Sequence, residues 1–352
     1  MTVRETPTLN RPGITGRDIT VVVCCFEAAR LPMLLECLRS VQTQTYRPAA
    51  VVVVIDGCAE LAATLAERGG PEVLVPLEHN VGLSAARNAG LARVRTDWLA
   101  FLDDDAAADP EWLERLAQAC EVTSAVGCGG WSAPLYDGPA PRWMPPELLW
   151  TVGCSHAGLP LRRTVVRNVF GGCALFRTDL LRRYGGFDVR LGRRGDGGQG
   201  GEEAEFCVRV TRENPGARFV HEPTAVIRHH VPRSRLRPRY VLGRCYAEGR
   251  SKGQVASMRG LTALSMESQF VLGMPSAAAR HLAQGQAGAA AVLVLGVAAA
   301  AVGYLHARLL SGPAQPRVID PREAPAPGPE APTGAPFGSP RDATAAALRT
   351  GT

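Results

Sequence analysis

The chain has 352 residues, 46% of them hydrophobic, and a formal net charge of +6. That is enough apolar material for one large or two modest domains with a real core, and it excludes a disordered protein. The basic residues are almost all arginine, with Lys252 the sole lysine, and no dense basic run is interleaved with aromatics, so nucleic acid is not an expected partner.

The ten cysteines are scattered singly apart from Cys24 and Cys25, and no C-x-x-C pair or zinc spacing occurs. The N-terminus, MTVRETPTLNRPGITGRD, lacks the apolar stretch of a signal peptide. A reducing cytoplasm is therefore expected, with the cysteines acting as small core hydrophobes.

In chain order, ITVVVCCF (19–26) is a β-branched run of the kind that forms a strand buried on both faces. Residues 31–43 carry apolar positions at helical spacing. VVVVID (51–56) predicts a second strand, ELAATLAERGG a glycine-stopped helix, EVLVPL a third strand, SAARNAGLARVR a helix and WLAFLDDD a fourth strand. Strands alternating with helices in this way predict an α/β, doubly wound, mostly parallel sheet.

Ligands of such sheets bind outside the carboxyl ends of the strands, where Asp56 and the run Asp103, Asp104, Asp105 are expected. Asp56-Gly57 taken alone reads as an ordinary turn. Three adjacent aspartates repel one another unless a cation or a helix N-terminus offsets them. Asp109, before Pro110, is expected to cap the next helix, which leaves the run for a metal. Hard oxygen ligands suit Mg²⁺ or Mn²⁺, with water and substrate phosphates completing the shell. No P-loop signature occurs.

Further on, GGEEAEF places Glu202, Glu203 and Glu205 together after the glycine-rich LGRRGDGGQGG. Such carboxylates suit a general base, or simply the first turn of a helix. Gly171 to Ala174 is a run of small residues on an expected strand, open to a close ligand or to close packing. Trp131, Trp143 and Trp150 stand among prolines in a long loop that either stacks a sugar or is pinned by them. Arginines 233, 235, 237 and 239 would form one basic face if extended.

The succession VVVCCF, VVVVIDG, NVGLSAARNAGL, WLAFLDDD, NVFGGCALFRTDLLRRYGGFD, GGEEAEFCVRV and VIRHHVPRSRL resembles the family 2 glycosyltransferases of GT-A fold, in a bacterial, actinobacterial-like form. The resemblance implies that Asp56 and Arg87 hold the nucleotide and that Asp103 faces ribose and sugar, with Asp104 among the donor contacts. It implies that Asp105 binds the metal, with His229 near metal or diphosphate. Glu203 stands where the family has the aspartate of its Glu-Asp motif, the general base; Glu202 and Glu205 are the neighbouring alternatives. The reaction implied is metal-dependent, inverting transfer of a sugar from a nucleoside-diphosphate sugar to a hydroxyl of a glycan, glycolipid or lipid-linked acceptor. A transferase of soluble secondary metabolites and an inactive nucleotide-sugar binder are the alternatives.

The domain plan expected is a disordered N-terminus (1–18) followed by the GT-A domain (19–250). Within that domain, 19–130 binds nucleotide and 131–250 serves acceptor and catalysis. A helical segment (251–311) and a disordered Pro/Ala-rich tail (312–352) complete it. Residues 287–305 are uncharged and about as long as the ~20 residues needed to cross a bilayer, but rich in Ala and Gly. A buried helix, a span and an interfacial helix all fit. Membrane association at the cytoplasmic face of the plasma membrane is the expectation carried forward. No Q-x-x-R-W follows, which favours single addition over processive synthesis.

Overall fold

The β-branched runs do form buried strands. The computed structural model describes residues 13–194, 197–259 and 265–310. Strands β1 (Ile19–Cys25), β2 (Ala50–Asp56), β3 (Val73–Leu77) and β4 (Trp98–Asp103) alternate with helices α1 (Leu31–Gln42), α2 (Ala59–Glu67) and α3 (Leu83–Leu91). There follow β5 (Ala106–Ala108), α4 (Trp112–Thr123), β6 (Gly127–Tyr136), β7 (Thr164–Val166), β8 (Cys173–Arg177) and α5 (Thr178–Arg183). After them come β9 (Gly192–Arg194), β10 (Gly197–Gln199), α6 (Glu202–Glu213) and β11 (Phe219–Val231), then α7 (Pro238–Arg259), α8 (Ser265–Ala283) and α9 (Ala287–Leu310).

The main sheet runs β3-β2-β1-β4-β8-β6-β11-β5, with β7 also on β11. β3, β2, β1, β4, β6 and β11 are parallel, and β8, β5 and β7 run against them. This is the mostly parallel α/β architecture expected, with its C-terminal helical segment. Side chains alternate across each strand, so Val21, Val23 and Cys25 enter one core with α1, α2 and α4 while Val22 enters the other with α3, α5 and α6. The second core is built on Phe101, Phe176, Phe187, Phe206 and Phe219, with ring centroids of successive pairs 5.5 to 6.4 Å apart. All ten cysteines are free thiols.

The last three helices form a smaller core with the 146–152 turn, around Leu148, Val241, Cys245, Met274 and Leu293. α7 and α9 lie parallel and very close. A Cβ on Gly249 would meet the Ala300 carbonyl at 1.9 Å, and one on Gly303 would meet that of Tyr246 at 2.0 Å. The Ala and Gly content of α9 thus serves helix packing.

Several expectations change. The boundary placed at residue 250 falls inside α7, which begins at Pro238 and continues across it. Of the N-terminal stretch, Gly16–Asp18 forms a turn with Gly16 buried; residues 1–12 and the tail 312–352 lie outside the described residues. Asp109 does not cap α4: the N-cap is Glu111, without a side-chain bond, and Asp109 lies 3.3 Å from Arg228. Residues 233–237 are turn rather than strand, so the four arginines do not share a face. Trp143 and Trp150 pack on the C-terminal core, pinning their loop.

Candidate active site

Parallel strands end together, and here β2 and β4 deliver their acids to one side. Asp56 is buried, and its carboxylate accepts hydrogen bonds from the backbone amides of Val81 (2.8 Å) and Gly82 (3.0 Å). Gly57 beside it has φ of 77°, and a Cβ there would lie 2.2 Å from the Asn80 nitrogen. Asp56 therefore folds the 79–82 loop against β2, so the turn reading was half right. It still lines the cavity.

The three aspartates separate. Asp103 continues the face of Phe101 and meets Arg87 at 3.4 Å. Asp104 is buried, paired with Arg30 and pressed on Cys25; burial and the charge of Asp105 push its pKa up to about 7 against the pull of Arg30. Asp104 thus has a protein partner, an arginine that it shares with Asp105. Asp105 is buried too, 3.1 Å from His229 Nε2, 3.0 Å from Arg30 and 3.5 Å from Arg235. Burial opposes its ionisation, but His229 and the two arginines prevail and hold it below the carboxylate range. His229 mirrors this. Burial works to lower its pKa, and Asp105 raises it to about 10.

Ligand atoms of Asp103, Asp105 and His229 all lie within 4.8 Å of one another. A cation with bonds of about 2.1 Å spans about 4 Å between opposite ligands, so small movements would close the three on one ion. Two hard oxygens and an imidazole are a donor set that fits such an ion, at the cost of displacing the His229 proton. Asp103, expected only as a donor contact, thus joins the expected ligands Asp105 and His229.

The other wall is the start of α6, whose N-cap Gly201 has φ of 101°. The helix N-terminus favours negative charge, and Glu202, Glu203 and Glu205 sit there with different fates. Glu205 is fully buried against Arg209 at 2.9 Å and leaves the cavity lining, which removes it as a base. Glu202, 2% exposed, and Glu203, 18% exposed at its side chain, each receive Arg87 Nη1 at 3.0 Å. The Gly171 amide donates to Glu203 Oε1 at 3.0 Å as well. Burial presses against ionisation of both; with Arg87 and the Gly171 amide beside it, Glu203 stays below its ordinary value. Glu202, burdened by burial and by the charge of Glu203, rises to about 8.

Arg87 is itself buried, its guanidinium 5.4 Å from the Phe101 ring centre and 5.7 Å from that of Phe187. It joins Asp103 to the glutamates and lines the cavity beside them. Gly171 and Gly172 allow β8 to approach: a Cβ on Gly172 would sit 2.0 Å from Asp103 Oδ2, and one on Gly171 2.4 Å from Glu203 Oε1. The close-packing reading of these glycines holds, and what they pack against is the site.

These groups border one cavity of about 1780 Å³, which runs from Asp56 and Asp103 past Glu203 to α7, α8 and α9. Sequence reasoning missed Arg30, which stands in no motif; only the β1 to β4 register, which sets Cys24 beside Asp103, brings it to the acids. Arg235 was singled out only as part of a basic face, not as a partner of Asp105.

Because the raised pKa of Glu202 stands at about 8 against an ordinary 4.5, its stabilising share is full below about pH 4.5 and is lost as pH rises through about 8. Glu202→Gln, always neutral, is expected to flatten the alkaline fall in Tm. An identical fall in both proteins would place its origin elsewhere.

The profile of the family described as Glycosyl transferase family 2 matches residues 20–185. The glucosyl-dolichyl phosphate glucuronosyltransferase of Haloferax volcanii is 32% identical over 238 residues, 66% of this chain and 76% of that protein. The chain belongs to glycosyl transferase family 2. This glycosyltransferase is also 30% identical over 247 residues to the succinoglycan biosynthesis protein ExoM of Rhizobium meliloti, covering 67% of the chain and 74% of ExoM. A crystal structure of S. aureus TarS 1–349 in complex with UDP aligns with 74% of the transferase and 72% of its own chain, at 16% identity and a TM-score of 0.46. The acidic cluster of the transferase falls inside the matched segment, while Glu203 and His229 lie beyond it.

Proposed function

We propose that the protein transfers a sugar from a nucleoside-diphosphate sugar, with inversion, to a hydroxyl of a glycan, glycolipid or lipid-linked acceptor. The observation that carries this reading is the convergence of Asp103, Asp105 and His229 with Glu203 on one cavity at the strand ends. Asp56 and the loop it holds face the nucleotide end. Glu203 Oε1 receives Arg87 and the Gly171 amide, and Oε2 takes no hydrogen bond from another of the described residues, leaving an oxygen to take the acceptor proton as the hydroxyl attacks the anomeric carbon. The bond from that carbon to the diphosphate breaks as the new one forms, its electron pair leaving with the diphosphate. Arg235 stands beside the acids where that charge develops. Mg²⁺ or Mn²⁺ held by Asp103, Asp105 and His229 would supply further charge neutralisation there.

The test is donor-induced thermal stabilisation across nucleoside-diphosphate sugars with Mn²⁺. It should vanish with excess EDTA and in Asp105→Asn. Equal stabilisation in EDTA would contradict the metal assignment.

We place the protein at the cytoplasmic membrane surface, with α9 lying on the bilayer. Ala287–Leu309 is long and apolar enough to cross a membrane by length and composition. Its partner α7 carries Glu248, Arg250 and Lys252 beside it, and a spanning α9 would drag those charges into hydrocarbon. Val294, Leu295, Val302 and Leu309 are exposed on α9 and would enter the interface. The double change Val294→Glu with Leu309→Glu should move the protein from membrane to soluble fraction without lowering Tm. Retention on the membrane would refute the placement.

A further inference from the structure

The cavity does not end at the reacting groups. Its far wall changes character, and Val271, Leu272, Met274, Val297, Ala301 and Leu305 of α8 and α9 line it. Val271, Leu272 and Leu305 are 47%, 80% and 56% exposed, and Ala301 is exposed as well. This end is therefore open, with an apolar rim. Facing it, α7 contributes Arg244 and Lys252 to the lining, and the turn before α7 contributes Arg235, 3.5 Å from Asp105. Burial and the positive charges of Arg193 and Arg235 weigh against the charge of Arg244, while Glu248, which also lines the cavity and holds Lys252 at 3.1 Å, favours it; the cations outnumber that one carboxylate, so a further anion among them would relieve the cluster.

An exposed apolar rim on a passage to a polar centre is unfavourable in water and gives a free sugar nothing to bind. It suits a molecule with three parts in series: a sugar hydroxyl, an anionic phosphate and a hydrocarbon chain. We propose that the passage between α8 and α9 holds the hydrocarbon chain of a lipid-phosphate-linked acceptor, with the phosphate at Arg244 and Lys252. The proposal rests on the transferase reading and names where the acceptor's lipid lies. Continuity supports it. Ala301 and Leu305 neighbour the outer stripe of Val294, Val302 and Leu309, which does not line the cavity, so a chain can pass from bilayer to passage without crossing water.

The test uses no donor. Straight-chain alkyl phosphates from butyl to dodecyl, kept monomeric, and inorganic phosphate are titrated into the full chain. Affinity is expected to rise with length by up to about fourfold per methylene until the passage is full. Ala301→Trp, which plugs the rim, should weaken dodecyl phosphate at least tenfold and butyl phosphate little; Leu305→Glu at an exposed site repeats the test if Ala301→Trp melts early. The double change Val294→Glu with Leu309→Glu should leave the chain-length dependence intact. Equal affinity for all lengths and for inorganic phosphate would reduce the site to an anion site and overturn the proposal. So would loss of the dependence in the outer double variant with Ala301→Trp unaffected, since the chain would then lie on the outer face. Donor turnover onto water-soluble glycans with no chain-length dependence would remove this proposal and leave the transferase standing.

Discussion

Replacing Glu203 by Gln is expected to lower turnover by about 10²- to 10⁴-fold, the range a positioned base contributes. Donor affinity should change little. Gln keeps the length of the side chain and its carbonyl can still accept from Gly171 and Arg87, so the fold of the α6 start should survive. What it loses is the ability to take a proton. Because Arg87 and the Gly171 amide hold Glu203 below the ordinary glutamate pKa of 4.5 despite burial, the wild-type rate should show no acidic limb until pH falls below about 4.5. Glu203→Asp is the control and should keep substantial activity if the site closes over one methylene. Full activity in Glu203→Gln would shift the role to Glu202, since Glu205 is committed to Arg209.

Arg87→Gln carries the second large effect. One buried guanidinium serves Asp103, Glu202 and Glu203, and breaking a buried pair by removing one partner costs about 3–5 kcal/mol because the remaining charge is stranded. A fall in Tm on the order of 10 °C at neutral pH is expected. Without Arg87, burial and mutual repulsion raise the folded-state pKa of both glutamates above its unfolded value. Their penalty is then absent below about pH 4 and grows as pH rises through the raised values. Lowering the pH from about 8 to about 5 should therefore narrow the gap to wild type. A gap independent of pH would show that Arg87 acts through packing on Phe101 and Phe187 instead. Arg87→Lys should recover part of the loss, since an ammonium keeps the charge but cannot fork between the acids.

The parts of the site that were legible in the sequence are those fixed by local pattern. Asp56 follows a buried β-branched run and Asp103 a buried run of Leu, Ala and Phe, so their arrival at the strand ends required only that the strands be parallel. The glutamates follow glycines and precede an apolar period, which reads as a helix start. Arg30 was illegible because a lone arginine in a loop has no periodicity, and strand order decides what it meets; Arg235 was legible only as one of four alternating arginines, and the turn at 233–237 rather than that alternation brings it to Asp105. The same holds for Asp109, whose position before Pro110 suggested a cap while β11 offered it Arg228. For the three aspartates, reasoning by elimination was incomplete. Their repulsion is met by Arg30, Arg87, Arg235 and His229 within the chain, so charge cost alone did not require a metal. The C-terminal helix was ambiguous for a different reason. Ala and Gly lower the hydropathy that lipid insertion needs and equally permit the contact of Gly249 with Ala300 that packing needs.

One crevice at the strand ends is expected to bind a nucleoside-diphosphate sugar and to pass its sugar to an acceptor hydroxyl. Release of free nucleoside diphosphate measures it most directly, with the full chain, Mn²⁺, a panel of nucleoside-diphosphate sugars and glycolipid acceptors. Acceptor-dependent release from a preferred donor is expected, lost in Asp105→Asn together with donor binding and lost in Glu203→Gln with donor binding retained. Release that proceeds unchanged in both variants, or a protein that binds a donor but never releases its diphosphate with any acceptor, would contradict it.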